Sequence, residues 1–460
     1  MDKQIINPYR QYMYSYPHKT AYRALEGISL EEELVKLKGQ QNSLYFHIPF
    51  CQYKCGYCNL FSVAGKTMRM MGEYVDAMEK HSEQLSAIMP EGVEFQEITL
   101  GGGTPLILPE SLLERVFEIA VKYFGVSLPG IPVMVETSPN QTTESKLKIL
   151  KKYGVTRLSI GVQSFEEGEL INLKRMHTAK AAEQALRLVK EVGFDCVNVD
   201  MIYGIPGQTK KSFLASLEKA VYYEPEEVFV YPLYIKRDTR LWDAGYRQRE
   251  DALELYYLGR NFLKMAGYRQ DSMRRFVWQQ EYSERENMER IASIYENDNM
   301  GRAAEIYGMG NRERAASLCG FGNTLSVGCG GRSYIGNLHF STPYEVRKKQ
   351  CVLRLEEYIK QENYLEVNHG FLLSEEEMKR RYVIRHILFG QGILQEDYWE
   401  HFGGDVMRDF PLLIGWCEGG YAVQSEEYIT LTEKGLALSD YLGAQLISDE
   451  VRERMEKWWK

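Results

Sequence analysis

Long apolar runs are missing from this chain. No stretch of its 460 residues approaches the roughly 20 apolar residues of a membrane-crossing helix, and the N-terminus has no apolar signal region. Positive charge is also short. Lys and Arg number 56 against 64 Asp and Glu, a net charge of −8, which removes the global electrostatic case for nucleic acid. Internal repeats and low-complexity tracts are lacking. Cysteine is scarce, with eight in the whole chain. Few cysteines and no secretory signal point to a reducing, cytoplasmic compartment, where thiolates serve as metal ligands rather than disulfides. What remains is ordinary for a globular protein, and the length allows one large domain and a small one.

Three of the eight cysteines fall within eight residues. Cys51, Cys55 and Cys58 form the pattern C-x3-C-x2-C inside Phe50-Cys51-Gln52-Tyr53-Lys54-Cys55-Gly56-Tyr57-Cys58-Asn59. Three thiolates suit three irons of a [4Fe–4S] cluster, whereas electron-transfer ferredoxins use four per cluster. The fourth iron is then open to a substrate or cofactor, as the open position of a catalytic zinc is. The competing reading is a structural Cys3His zinc site completed by His47, four residues before Cys51.

Residues 43–235 alternate short apolar runs with helical patterns, which predicts βα units and a parallel sheet. The strand candidates are Leu44–His47, Glu97–Leu100, Val133–Thr137, Arg157–Gly161, Val197–Ile202 and Val228–Pro232, rich in the Val, Ile, Leu and Tyr expected of strands covered on both faces. Six strands are fewer than the eight of a closed barrel. The fold class is therefore α/β, an open partial (β/α)6 barrel with its site at the C-terminal strand ends. Thr178 is placed to cap a helix over Ala179–Val192 that stops at Gly193, and Lys146–Tyr153 reads as another helix. Residues 1–42 form an N-terminal extension, 43–260 the barrel, 261–370 an extension with a polar insertion over 278–318, and 371–460 a C-terminal unit. That last unit reads as three helices (Glu375–Phe389, Gln395–Phe402, Val406–Glu418) followed by two strands, a winged-helix pattern. Its acidic residues, Glu396, Asp397 and Glu400 among them, favour an interaction or lid role over DNA binding.

Polar groups gather near the predicted strand ends. Gly101-Gly102-Gly103-Thr104-Pro105 follows the second strand, and its glycines let backbone N–H groups approach a ligand. Glu136, Gln163 and Asp200 lie near the ends of the third, fourth and fifth strands, and carboxylates and an amide suit an ammonium and ribose hydroxyls. Arg175 lies on the next loop with a guanidinium fork for a carboxylate. His177 reads as a residue flanking the Thr178 cap.

Taken in order, Tyr45-Phe46-His47-Ile48-Pro49-Phe50-Cys51, GGGTP at 101–105, GVQSF at 161–165, KRMHT at 174–178, DMIYGIPGQT at 200–209 and Gly328-Cys329-Gly330-Gly331-Arg332-Ser333-Tyr334 resemble the HemN family of radical S-adenosylmethionine (SAM) proteins. That family includes oxygen-independent coproporphyrinogen III oxidase, the haem chaperone HemW, haem-degrading enzymes and class C methyltransferases. The resemblance implies that Cys51, Cys55 and Cys58 hold a [4Fe–4S] cluster. The cluster cleaves SAM reductively to a 5′-deoxyadenosyl radical, for hydrogen abstraction or methyl or methylene transfer on a small-molecule or peptide substrate. It also implies a flavodoxin- or ferredoxin-type electron donor. Tyr45, Gly102 and Glu136 match positions that contact a first SAM, and Arg332 lies where the late loop reaches it. Tyr57, Gly103, Thr104, Gln163, Arg175, Asp200 and Tyr234 match positions near SAM, some attributed to a second SAM molecule. Two departures stand out. The H-N-x-x-Y-W signature of the haem chaperones is absent before the late glycines, and Gly267-Tyr268 leads into Arg269-Gln270-Asp271-Ser272-Met273-Arg274-Arg275-Phe276 instead of the family's E-x-S-N-F-A. Both argue against a coproporphyrinogen oxidase or haem chaperone, which stays as the alternative reading. Tyr16-Pro17-His18-Lys19-Thr20-Ala21-Tyr22-Arg23 and Leu338–Thr342 suggest a distinct subgroup, with His18 and His339 as candidate substrate-site residues.

Overall fold

The structure, a computed structural model, describes residues 8–9, 12–13, 15–279 and 322–458. Most of the insertion at 278–318 therefore lies outside the described residues. All six predicted strands form, each within two residues of its expected ends: β1 Asn42–Ile48, β2 Glu97–Gly102, β3 Val133–Thr137, β4 Arg157–Gln163, β5 Cys196–Tyr203 and β6 Glu227–Pro232. They lie side by side, all parallel, in chain order.

The sheet does not stop at six strands. Asn323–Val327 joins the free edge of β1 in parallel, Asn323 opposite Asn42 and Val327 opposite Phe46. Beyond it run the antiparallel strands Arg332–Ile335, Leu338–Ser341, His369–Leu372 and Arg23–Ala24. At the other edge Arg275–Trp278 and Tyr268–Gln270 add to β6. These strands are only two to five residues long, too short for a period of two to stand out from the surrounding sequence.

The strands also differ from the expectation of two apolar faces. One face carries Leu44, Phe46, Ile98, Leu100, Val133, Val135, Leu158, Ile160 and Val199, all nearly fully buried in one core. The alternate positions, Tyr45, His47, Thr99, Glu136, Ser159 and Asp200, point to the concave side and line cavities. Side chains of a strand alternate between faces, so the inner face of this open barrel is free to be polar.

The helices of the outer layer are set by threonine. Met68–Ala87, Glu144–Lys152, Ala179–Val192 and Lys210–Tyr222 begin after Thr67, Thr143, Thr178 and Thr209, each hydroxyl accepting a first-turn N–H. Such a cap satisfies a backbone donor that the helix itself leaves orphaned. At the C-terminus the helices Glu375–Ile387 and Gln395–Phe402 accompany a three-stranded sheet of Ile393–Leu394, Ala422–Gln424 and Tyr428–Leu431. The expected single helix over Val406–Glu418 is two, Val406–Asp409 and Leu412–Glu418, because Pro411 has no N–H to continue the first. The N-terminal extension is not separate from this unit. Met13, Tyr16, Ala21 and Tyr22 share a core with Tyr382, Ile384, Leu438 and Leu442.

Candidate active site

The cysteine loop leaves the end of β1. It is held from behind by neighbouring segments: Gly56 N–H donates to the Leu173 carbonyl at 2.8 Å, and Leu241 N–H donates to the Gly56 carbonyl at 2.9 Å. All three thiols face one cavity of about 440 Å³. The Arg175 guanidinium donates to Cys55 Sγ at 3.1 Å and the Thr104 hydroxyl to Cys51 Sγ at 3.8 Å, with Ser62 Oγ 4.0 Å from Cys58 Sγ. Burial pushes the Cys51 thiol up to about 12 and raises that of Cys58. His47 does not complete a zinc tetrad. Its ring nitrogens lie 3.3 Å from the Tyr45 hydroxyl and 3.3 Å from the Phe61 carbonyl oxygen. Among the described residues no three His, Cys, Asp or Glu side chains converge on a single ion position. Thiols facing a shared cavity, with N–H and O–H donors on their sulfurs, suit the sulfur-rich, hydrogen-bonded surroundings of an iron–sulfur cluster.

The strand ends supply the opposite wall. Gly102 has φ +113°, and a Cβ there would lie 2.6 Å from the His47 ring. Only glycine takes both that backbone and that approach. A Cβ on Gly103 would lie 2.4 Å from the Phe50 carbonyl oxygen, so the GGGTP turn is pressed against the cysteine loop. Gly102 N–H donates to Glu136 at 3.1 Å. Among the described residues Glu136 has no cation in bonding range, and burial, against that one bond, pushes its carboxyl from the ordinary 4.5 up to about 7. Asp200 accepts from Asn198 at 2.8 Å and Ser159 at 3.4 Å, and burial pushes it up to about 6. Gln163 sits on a β-bulge between Gly161 and Gln163 with φ +74°. A non-glycine residue in this region is uncommon, and the bulge turns the buried amide into the cavity. Two side chains fix the bulge from behind: Arg175 donates to the Gly161 carbonyl and His177 Nε2 lies 3.0 Å from the Val162 oxygen. His177 is thus a buried brace, with burial lowering it to about 3, not a mere helix flank.

A second cavity of about 390 Å³ adjoins the first, sharing Tyr12, Leu60, Gly102, Glu136 and Tyr231 with it. Tyr45 and Arg332 line the second; Tyr57, Gly103, Thr104, Gln163, Arg175, Asp200 and Tyr234 line the first. Every residue singled out from the cysteine, glycine and strand-end motifs therefore opens onto one of two joined spaces. His18 and His339 do not. His18 caps the short helix Lys19–Ala21 through its contacts with Thr20, and His339 is fully buried edge-on to Tyr334, their centroids 4.5 Å apart.

Several wall residues carried no usable signal in the sequence. Tyr12 stacks on Tyr234 at 5.2 Å, and the Arg274 guanidinium lies 4.4 Å from the Tyr12 ring centroid. Arg274 and Tyr234 both bond Asp440, from the C-terminal helix Ser439–Gln445. Met13 N–H donates to the same carboxylate at 3.3 Å. Segments more than 400 residues apart in the chain thus meet on one acid, a juxtaposition only the folded chain creates.

Comparison with known proteins agrees with this geometry. Residues 45–220 match the radical SAM superfamily. The chain is 31% identical over 242 residues to the haem chaperone HemW of Bacillus subtilis, covering 51% of this chain and 63% of the chaperone. It is 24% identical over 445 residues to the oxygen-independent coproporphyrinogen III oxidase of Escherichia coli, 93% of this chain and 92% of that protein. The match thus spans about three fifths of the chaperone but nearly all of the oxidase. The solved structure of the Escherichia coli oxidase superposes with a TM-score of 0.75 at 21% identity, over 94% of this chain and 96% of that one. No helix among the described residues is long and apolar enough to cross a membrane. With its three-cysteine loop, glycine turn and parallel strand order, the chain is similar to radical SAM proteins over residues 45–220 and shares the fold of the Escherichia coli oxidase over nearly its whole length.

Proposed function

We propose that this protein is an enzyme that binds a [4Fe–4S] cluster through Cys51, Cys55 and Cys58 and S-adenosylmethionine in the cavity behind them. The observation that carries the reading is the convergence of those three thiols, the Gly102–Thr104 turn and the Glu136 carboxylate, bonded by Gly102 N–H, on one cavity. When bound, the pair supplies a 5′-deoxyadenosyl radical by one-electron reductive cleavage, for hydrogen abstraction from, or methyl or methylene transfer to, an organic substrate. The chain's own residues do the positioning. Gly102 and Gly103 bring backbone groups against the cofactor, and Glu136 accepts its ammonium. Gln163 and Asp200 take ribose hydroxyls, and Arg175 holds Cys55 and the bulge together. Tyr45, Tyr57, Thr104, Tyr234 and Arg332 complete the walls that exclude water. A titration with SAM decides whether one molecule or two are held.

Electrons reach such a site from outside the loop. Lys174 and Arg240 are exposed there, on the segments that brace Gly56. On a chain of net charge −8 this local positive frame suits an acidic flavodoxin- or ferredoxin-type donor.

The test is anaerobic reconstitution with iron and sulfide, then SAM and dithionite. 5′-Deoxyadenosine, alone or with S-adenosylhomocysteine, is the expected product, and its absence from a cluster-loaded protein overturns the reading. The triple variant Cys51→Ala, Cys55→Ala, Cys58→Ala should lose the absorption near roughly 400 nm that thiolate-bound clusters give. Likeness to the haem chaperones favours one alternative, a haem-handling protein. Haem titration, and incubation with coproporphyrinogen III, address it directly: stoichiometric haem binding or decarboxylated product would restore the porphyrin reading.

A further inference from the structure

Tyr74 stands on the helix Met68–Ala87 and is fully buried. It is not among the residues that line either cavity. Its hydroxyl donates to the His47 carbonyl at 2.7 Å and accepts the Cys329 N–H at 2.9 Å. His47 is near the end of β1, just before the run into the cysteine loop. Cys329 belongs to the late glycine motif and precedes Arg332, whose side chain lines the second cavity. The ladder between β1 and Asn323–Val327 ends with Phe46 opposite Val327. One step further on, the Tyr74 hydroxyl stands between His47 and Cys329 and joins the two chains through itself. The motif is shaped to admit it: a Cβ on Gly328 would lie 2.6 Å from the Tyr74 hydroxyl and 2.7 Å from the His47 carbonyl oxygen. The next N–H of the loop, that of Gly330, donates to the Thr342 hydroxyl at 2.9 Å. At its far end the Arg332 guanidinium donates to Ser15 Oγ at 2.8 Å.

We infer that Tyr74 is a positioning residue for SAM, a role that rests on the radical SAM reading of the site: its hydroxyl locks the late glycine loop to the root of the cysteine loop and thereby sets how far Arg332 reaches toward the cofactor. Both partners of the hydroxyl are backbone groups in the dry interior. Without it a carbonyl and an N–H are left unbonded, which a buried backbone rarely tolerates. The loop has little stiffness of its own to resist that loss, because three of its first four residues, Gly328, Gly330 and Gly331, are glycine. The Tyr74 ring has a separate, purely packing task. It lies edge-on to Phe50 at 5.2 Å and beside Tyr358 at 5.4 Å, contacts that a phenylalanine would keep. Hydroxyl and ring can therefore be separated by one atom.

The experiment titrates SAM into the cluster-loaded protein by anaerobic calorimetry, with iron content and cluster absorption measured on the same samples. Tyr74→Phe should keep its iron and its absorption and bind SAM roughly tenfold more weakly. Arg332→Gln should weaken SAM at least as much. The double variant should bind no more weakly than Arg332→Gln alone, because the hydroxyl acts through that arginine. Thr67→Ala loosens the same helix at its cap. It should lower Tm and leave SAM affinity unchanged, which a merely structural Tyr74 would not distinguish from its own loss. Unchanged SAM affinity in Tyr74→Phe, additive losses in the double variant, or an equal loss in Thr67→Ala overturns the inference. Loss of iron from Tyr74→Phe would assign the hydroxyl to the cysteine loop and overturn it too. Should Tyr74→Phe fold poorly, Gly328→Ala presses a methyl group on the same hydroxyl and should show the same selective loss of SAM with iron retained; full SAM affinity there overturns the inference. An unaltered protein that takes up no cluster or no SAM would instead sink the radical SAM reading, so the two failures are distinguishable.

Discussion

Glu136 shows how much one side chain's surroundings decide. Its carboxyl is raised to about 7 because burial outweighs the single bond from Gly102. A raised acid means that the folded chain holds a proton the unfolded chain has lost, between the ordinary 4.5 and about 7. Stability of the ligand-free protein therefore falls as pH rises through that window and levels off above it. Glu136→Gln removes the penalty. We expect ligand-free Glu136→Gln to be more stable at pH 8, by up to about 3 kcal/mol, with little gain near pH 5, as thermal melts at the two pH values would show. The same variant should bind SAM roughly tenfold or more weakly. SAM affinity of the unaltered protein should drop as pH falls below about 7, a dependence that Glu136→Gln abolishes. A flat profile in the unaltered protein would remove Glu136 from the site. Gln163 shows the limit of reading single residues. Its place near a strand end was legible in GVQSF, but its φ of +74° was not, because glutamine gives no local signal for a left-handed backbone.

Among the elements, the GGGTP turn is the most constrained. Gly103 packs so closely on Phe50 that a methyl group there collides with backbone on the cysteine loop. Gly103→Ala should leave the chain folded but misplace Cys51, and we expect well under the full iron content after reconstitution, measured per chain against the unaltered protein. Normal iron loading would show that the loop yields. Helix starts are legible because a threonine hydroxyl at the right offset is a local device. Thr178→Ala should cost about 1 kcal/mol, read from a denaturant midpoint at unchanged slope. Strand ends were legible to within two residues for the six central strands because each is a short run rich in Val, Ile, Leu and Tyr, five to eight residues long in the fold. The strand before the late glycine motif, Asn323–Val327, was not, being five residues long and pairing with β1, far away in sequence.

Asp440 sets the scale of the whole molecule, since it joins the N-terminal segment, the barrel wall and the C-terminal helices. It bonds Met13, Tyr234 and Arg274 and is 1% exposed. Removing one partner of a buried pair strands the other, so Asp440→Ala should cost about 3–5 kcal/mol and loosen Tyr12 and Tyr234 from the cavity wall. Limited proteolysis within residues 8–22 should then be faster than in the unaltered protein, and unchanged proteolysis and stability would show the acid to be incidental. The outer surface makes a separate prediction. The double variant Lys174→Glu, Arg240→Glu should keep dithionite-driven SAM cleavage and lose roughly tenfold in rate with an acidic flavodoxin as donor, the loss converging with the unaltered protein at high salt. Equal rates with flavodoxin would place the donor elsewhere.

Alone, the amino-acid order determined the cysteine loop, the glycine turn, the six-strand α/β frame and the strand-end polar residues. Each of these is a short-range pattern: a ligand spacing, a short apolar run, a cap or a glycine run. Tertiary structure decided that the sheet continues past β1 with Asn323–Val327, that two joined cavities open on the concave face, and that Lys19 lines one of them while Asp440, from the other end of the chain, holds the wall residue Tyr234. The physical reason is that burial and pairing are properties of surroundings. A lysine near the N-terminus and an aspartate in the last helices acquire meaning only when folding takes water from the first and places an arginine beside the second.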